Sequence, residues 1–137
     1  FIILFITNLS WSQEDIDFKY ELKRDQSDST LVKVNAKIIN KTDDSIYFLS
    51  QTCNGLDYFL STSSPKANIN IILHCFATYP QKNEIKANSE YIFETTIKLK
   101  NEINQIGLNL ELVQLTQSAL VNKEWRRIFK KGDIKST

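Results

Sequence analysis

The sequence contains few of the residue types on which several common functions depend. Its 137 residues include no methionine, one histidine, two cysteines, two prolines and three glycines. Copper sites draw on methionine and histidine, so copper handling is poorly supported. So few glycines and prolines exclude the low-complexity and fibrous classes. A formal net charge of +1 provides no overall field that would attract nucleic acid.

The apolar content of the chain is enough for one core. Hydrophobic residues make up 42% of the chain and aromatic residues 11%, and the length suits one domain of ordinary size. Charge is unevenly distributed, because residues 13–116 hold 11 basic and 14 acidic side chains whereas residues 117–137 hold 6 and 2. The end of the chain is therefore the only basic patch.

The N-terminal residues have the pattern of an export signal. Residues 1–9 are an uncharged apolar run, and Ser10 and Ser12 place small residues at the −3 and −1 positions of a cut before Gln13. A membrane-spanning helix needs about 20 apolar residues, and polar residues follow too soon for one. We predict that residues 1–12 are a signal-peptide remnant and that residues 13–137 form one exported domain, periplasmic or extracellular. An N-terminal core strand is the alternative.

Alternating apolar and polar residues predict β-strands through most of the chain. In Leu31–Ser50, alternation over the first half, a polar cluster and a second apolar run predict a β-hairpin. Similar alternation predicts strands over residues 16–23, 91–99 and 106–112. Gly107, inside the last of these, is expected at a bulge or at a close approach to a neighbouring segment.

The middle of the chain is predicted from its turn residues. Asn54-Gly55 favours a tight turn, residues 56–60 a short strand, and residues 61–66 a surface loop where the chain could change sheets. Residues 69–76 alternate as a further strand. Pro80, which lacks a backbone donor, should end the ladder there.

About seven strands at spacings of 8–15 residues are typical of a β-sandwich. With the signal-like start, the strand and turn over residues 34–44, and the turn and strand over residues 85–93, the chain resembles the small exported immunoglobulin-like domains common in bacteria. The resemblance covers roughly residues 14–116. It implies an all-β, immunoglobulin-like sandwich of antiparallel strands. No tryptophan lies between Cys53 and Cys75, so the Cys, Trp, Cys order of true immunoglobulin domains is absent.

Cys53 and Cys75 are the only cysteines, and export exposes them to an oxidising compartment. A disulfide closing 22 residues is the first interpretation, and two buried thiols are an alternative. A sharper alternative makes Cys53 a nucleophile with His74 as its base. His74 cannot serve Cys75, because neighbours on a strand point to opposite faces. A zinc site built from these three residues fails on the same geometry.

After Thr116 the apolar spacing changes to three and four, which predicts a short amphipathic C-terminal helix over residues 118–131. The helix is expected to pack its Trp125 face on the sandwich and to leave a basic face in solvent. Docking to an anion, a membrane surface or a partner is the alternative. Together with Tyr79 of the Tyr79-Pro80 segment, this tail supplies the candidate binding residues: Tyr79, Trp125, Arg126, Arg127 and Lys130.

The sequence favours binding over catalysis. The carboxylates are scattered, and no nucleophile elbow, phosphate loop or metalloprotease helix motif occurs. We predict a non-enzymatic binding or accessory module at the bacterial cell envelope, monomeric, without cofactor, metal, nucleic acid or transmembrane segment. The expected partner is a protein or a glycan. A protease-inhibitor-like sandwich using Ser64-Pro65 or Tyr79-Pro80 is the first alternative, and a small secreted hydrolase is the second.

Overall fold

The computed structural model describes residues 11–13, 15–71, 75, 77–103 and 105–115. These residues form nine strands and one single-turn 3-10 helix, Asp57–Phe59. The strands are β1 (Trp11–Gln13), β2 (Ile16–Arg24), β3 (Leu31–Asn40), β4 (Ile46–Gln51), β5 (Leu60–Thr62), β6 (Ala67–Ile69), β7 (Pro80–Ile85), β8 (Glu90–Leu99) and β9 (Leu108–Leu110). Every strand pair among them is antiparallel. The predicted all-β class is confirmed.

The largest layer is a five-stranded sheet in the order β1-β2-β3-β8-β6. Its three long strands alternate as the sequence predicts, so one face is buried and the other is charged. Cross-strand neighbours on the buried face, such as Phe18 with Ile38 and Val32 with Ile97, are almost fully enclosed. This face forms one side of the core.

The other side of the core comes from two smaller sheets, β4 with β7 and β5 with β9. The segment 113–115 continues beside β4, because Leu49 N donates to Val113 O at 3.0 Å and Leu115 N donates to Tyr47 O at 2.8 Å. Phe48 and Leu49 are fully buried in the same cluster as the large sheet's side chains. Two antiparallel layers enclosing one core are compatible with a β-sandwich.

The predicted hairpin within Leu31–Ser50 is wrong in its pairing, although both of its strands exist. β3 pairs with β2 and β8, whereas β4 pairs with β7, so residues 41–45 cross from one layer to the other. Asn40, which is 0% exposed, fixes this crossing with its side chain. Its Nδ2 donates to the main-chain oxygens of Asp44 and Ile85 at 2.8 and 3.0 Å.

Other predicted turns and strands have mixed outcomes. The loop at residues 61–66 does change sheets, because β5 pairs with β9 while β6 joins the large sheet. Gly107 lies at a close approach, since its N donates to Ser63 Oγ at 2.7 Å. The strand predicted at residues 56–60 is mostly the 3-10 helix. Pro80 begins β7 instead of ending a strand, a first position that needs no backbone donor.

The chain termini bear on two further predictions. Trp11 and Ser12, placed by sequence in the signal-peptide remnant, form β1 with Gln13 and pair with β2. Cleavage before Gln13 stays a prediction. The predicted C-terminal helix over residues 118–131 lies outside the described residues.

Candidate functional site

The candidate site is built around the turn that follows β4. Asn54 and Gly55 have φ angles of 61° and 51°, a conformation that asparagine tolerates and glycine adopts freely. Gln51 N donates to Gly55 O at 2.9 Å and closes the turn. The 3-10 helix follows at once, with Phe59 buried and Asp57 half-buried. The turn therefore carries Asp57 to a fixed place beside the large sheet.

An open cleft of about 680 Å³ separates this turn from β8. Its volume lies within the range of small-molecule sites. The cleft is lined by Lys23, Lys33, Val34, Asn35, Asn54, Gly55, Leu56, Asp57, Asn70, Tyr91, Phe93, Glu94, Thr95 and Thr96.

The polar centre of the cleft is Thr95. Thr95 lies on the buried face of β8 and is 8% exposed, and its Oγ1 has no hydrogen-bond partner within the part of the chain that the structure describes. The Asp57 carboxyl lies close enough to the Thr95 hydroxyl for their interaction to lower the pKa of Asp57. The two groups nevertheless do not have the geometry of a hydrogen bond. Burial has the larger effect and raises the pKa of Asp57 above its ordinary value. A buried hydroxyl left without a partner is uncommon in folded proteins.

Two aromatic rings form the apolar part of the cleft. Tyr91 and Phe93 are both partly buried, and their ring centroids lie 6.2 Å apart. Phe93 stacks on Phe18 with ring centroids 6.2 Å apart, and Tyr91 and Phe48 form a T-shaped pair at 5.0 Å. These contacts with the core hold the rings in place, and the partial burial leaves part of each ring accessible from the cleft.

The charges that line the cleft are balanced in number. Lys23 and Lys33 lie on the outward faces of their strands, as does Glu94, and Asp57 comes from the turn. Among the described residues of the cleft, Asp57 is therefore the charged side chain that lies on the same side of the sheet as Thr95. An ionised Asp57 opposes an anionic ligand.

The predicted disulfide between Cys53 and Cys75 is confirmed, with a Cα–Cα distance of 6.5 Å. Cys53 directly precedes Asn54, so the bond anchors the turn that flanks the cleft. Tyr79 lies beside it: Thr52 N donates to Tyr79 O at 2.9 Å, and Tyr79 N donates to Thr52 Oγ1 at 3.0 Å. The Tyr79 side chain is 65% exposed.

Of the site residues predicted from the sequence, Cys53, Cys75 and Tyr79 lie in the described part of the chain. Both cysteines are bonded to each other, so neither supplies the thiolate that the Cys53–His74 hypothesis requires. Tyr79 is exposed at the disulfide end of the molecule but does not line the cleft. The remaining predicted binding residues lie outside the described part of the chain: Trp125, Arg126, Arg127 and Lys130.

Asp57 and Thr95 are not among the site residues predicted from the sequence. One feature of the sequence pointed to Thr95, because it is the only polar residue on the apolar parity of β8, between Phe93 and Ile97. Asp57 gave no such indication, since its position depends on a 3-10 helix that replaced a predicted strand.

Within the described ranges, no group of three or more His, Cys, Asp or Glu side chains could hold a metal ion. The same ranges contain no helix long and apolar enough to cross a membrane. No protein-family model, curated protein or solved structure matches the chain.

Proposed function

We propose that this protein is an exported, non-enzymatic binding module with an immunoglobulin-like sandwich, acting at the bacterial cell envelope, and that the cleft beside the Asn54-Gly55 turn is its ligand site. Export is supported by the apolar run followed by a small-x-small site and by the disulfide, which forms in oxidising compartments. The sandwich is supported by two antiparallel layers around one core.

One observation carries the choice of site: Thr95, which lines the cleft, is nine-tenths buried, and its hydroxyl has no hydrogen-bond partner among the described residues. A buried polar group without a partner loses the hydrogen bonds it had with water, and the folded state bears that loss. A ligand that supplies the missing hydrogen bond removes this free-energy cost. A bound molecule would therefore supply the hydrogen bond that the Thr95 hydroxyl lacks.

Binding fits the cleft better than hydrolysis does. A glycosidase needs two carboxyl groups converging on one bond. Here Asp57 faces Thr95 on the buried side of β8, whereas Glu94 is the neighbouring residue on the strand and points to the opposite face. The two carboxylates of the cleft therefore do not form such a pair.

Co-sedimentation with insoluble bacterial envelope material tests the proposal. The full chain, with its disulfide formed, should sediment with the material. Asn70→Trp, which places a large side chain in the cleft, should stay in solution, whereas Ile92→Trp should sediment like the parent because Ile92 is exposed on the outer face of the same sheet. Equal sedimentation of the two variants, absence of sedimentation by the parent, or release of soluble fragments from the material would contradict the proposal.

A further inference from the structure

We infer that the ligand of the cleft is a neutral carbohydrate, with one sugar hydroxyl held between Thr95 Oγ1 and the Asp57 carboxyl and a sugar ring against Tyr91 and Phe93. This inference rests on the proposed function and names the class of ligand for the same site.

The two polar groups select a hydroxyl. Thr95 Oγ1 can both donate and accept, and the Asp57 carboxylate accepts only. They lie near each other without a hydrogen bond of good geometry, so one ligand group that reaches both must donate to Asp57 and complete Thr95 as well. An alcohol does both with one oxygen atom. A ligand carboxylate offers no donor and would be repelled by Asp57.

The rest of the cleft suits a sugar ring. Carbohydrates carry apolar C–H faces between their hydroxyl groups, and such faces pack against aromatic rings. Tyr91 and Phe93 present rings held by core contacts, so their orientation is set before a ligand arrives. Asn54 and Asn70 also line the cleft, and amide groups can both donate to and accept from sugar hydroxyls.

The charge nearest Thr95 disfavours an anionic ligand. Asp57 opposes an anion, whereas Lys23, Lys33 and Glu94 lie on the outward face of the sheet, where Lys33 is paired with Asp25 at 3.5 Å. A neutral, polyhydroxylated molecule meets no such repulsion. Its hydroxyls remain free to hydrogen-bond with charged side chains at the rim.

Thr95→Val is the decisive variant. Valine has nearly the shape of threonine but lacks the hydroxyl, so the substitution removes the unsatisfied group without opening a cavity. Thr95→Val should melt at or above the temperature of the parent. Its affinity for the ligand should fall by about tenfold, the factor that corresponds to about 1.4 kcal/mol. A purely structural threonine would not combine these two effects.

Titration calorimetry on the full, oxidised chain supplies the measurement. The probes are neutral oligosaccharides built from glucose, galactose and N-acetylglucosamine, with a uronic-acid oligosaccharide for comparison. At least one neutral oligosaccharide should bind the parent and Ile92→Ala equally, and bind Thr95→Val about tenfold more weakly. Equal affinity of Thr95→Val and the parent would overturn the inference, as would tighter binding of the uronic-acid oligosaccharide.

The two proposals fail separately. If the parent sediments with envelope material, Asn70→Trp does not, and no neutral oligosaccharide binds, the carbohydrate assignment is wrong while the binding function stands. If neutral oligosaccharides bind equally well to Asn70→Trp and to the parent, the protein binds sugars elsewhere and the cleft is not the site.

Discussion

Asp57 links the stability of the protein to its candidate site. Burial raises the pKa of its carboxyl above 3.8, and the Thr95 hydroxyl lowers that pKa by less. Between the unfolded pKa and the higher folded one, the folded state binds more protons than the unfolded state. The free energy of unfolding therefore falls as the pH rises through this interval. At neutral pH the folded protein bears the whole penalty of an ionised, half-buried carboxylate.

Asp57→Asn should remove this penalty. We expect the variant to melt at a higher temperature than the parent at pH 7, because an amide is easier to bury than a carboxylate. The difference should shrink as the pH falls and should vanish below 3.8, where the parent carboxyl is protonated in both states. Thermal melts of both proteins from about pH 3 to pH 7 test this, and a difference that does not change with pH would contradict it.

Low pH also destabilises both the parent and Asp57→Asn, because it protonates Asp25 in the turn between β2 and β3. Hydrogen bonds from Ser27 to Asp25 hold the pKa of that carboxyl at about 2, so its stabilising effect is lost as the pH falls from 3.8 towards 2. Asp25 is intact in Asp57→Asn, so this effect cancels in the comparison. Only the difference between the two curves reports on Asp57.

At the scale of elements, the crossing between the two layers depends on one side chain at the end of β3. Besides its bonds to Asp44 and Ile85, Asn40 donates to Lys86 O at 3.1 Å. Its Oδ1 accepts from the N and Oγ1 of Thr42 at 3.0 and 2.7 Å. The amide thereby joins the crossing to the turn between β7 and β8.

Asn40→Ala should destabilise the protein by about 2–4 kcal/mol, because it removes a fully buried amide that takes part in five hydrogen bonds. Asn35→Ala, on the exposed face of the same strand, should change stability by less than about 0.5 kcal/mol. Urea denaturation of both variants measures the effect. Similar unfolding midpoints for Asn40→Ala and Asn35→Ala would show that the crossing does not need the amide.

The same crossing shows which parts of the fold can be predicted from sequence. Alternation placed β2, β3 and β8 because burial on one face of a strand is a local, period-two property. It could not show that β3 and β4 lie in different layers, because a polar segment between two strands is common to hairpins and to crossings. What distinguishes them here is the burial of Asn40, which depends on Ile85, 45 residues away.

The candidate site was less predictable than the strands, for a related reason. β7 is largely polar and gave no alternation, so the partner of β4 was missed. The cleft combines a turn after β4 with a threonine on β8, and no local pattern brings segments about 40 residues apart together. The disulfide was predictable because it needed only two cysteines and an oxidising compartment.

At the scale of the whole molecule, the disulfide joins the turn after β4 to the connection between β6 and β7. Cys53 lies two residues after β4, and Cys75 lies six residues after β6 and five before β7. The bond closes a sequence separation of 22 residues, for which the loss of chain entropy in the unfolded state corresponds to about 3 kcal/mol. Neither cysteine lines the cleft, so the bond should matter more for stability than for binding.

The double variant Cys53→Ser, Cys75→Ser should therefore unfold at a lower urea concentration than the parent, by the equivalent of about 3 kcal/mol, and should still sediment with envelope material when folded. Cys75 is exposed, so a reductant can reach the bond in the folded parent. Dithiothreitol should shift the parent's midpoint towards that of the variant and leave the variant unchanged, which separates loss of the bond from any effect of the serines. Two free thiols per chain in protein recovered from an oxidising compartment, or a double variant as stable as the parent, would show that the bond does not stabilise the folded protein.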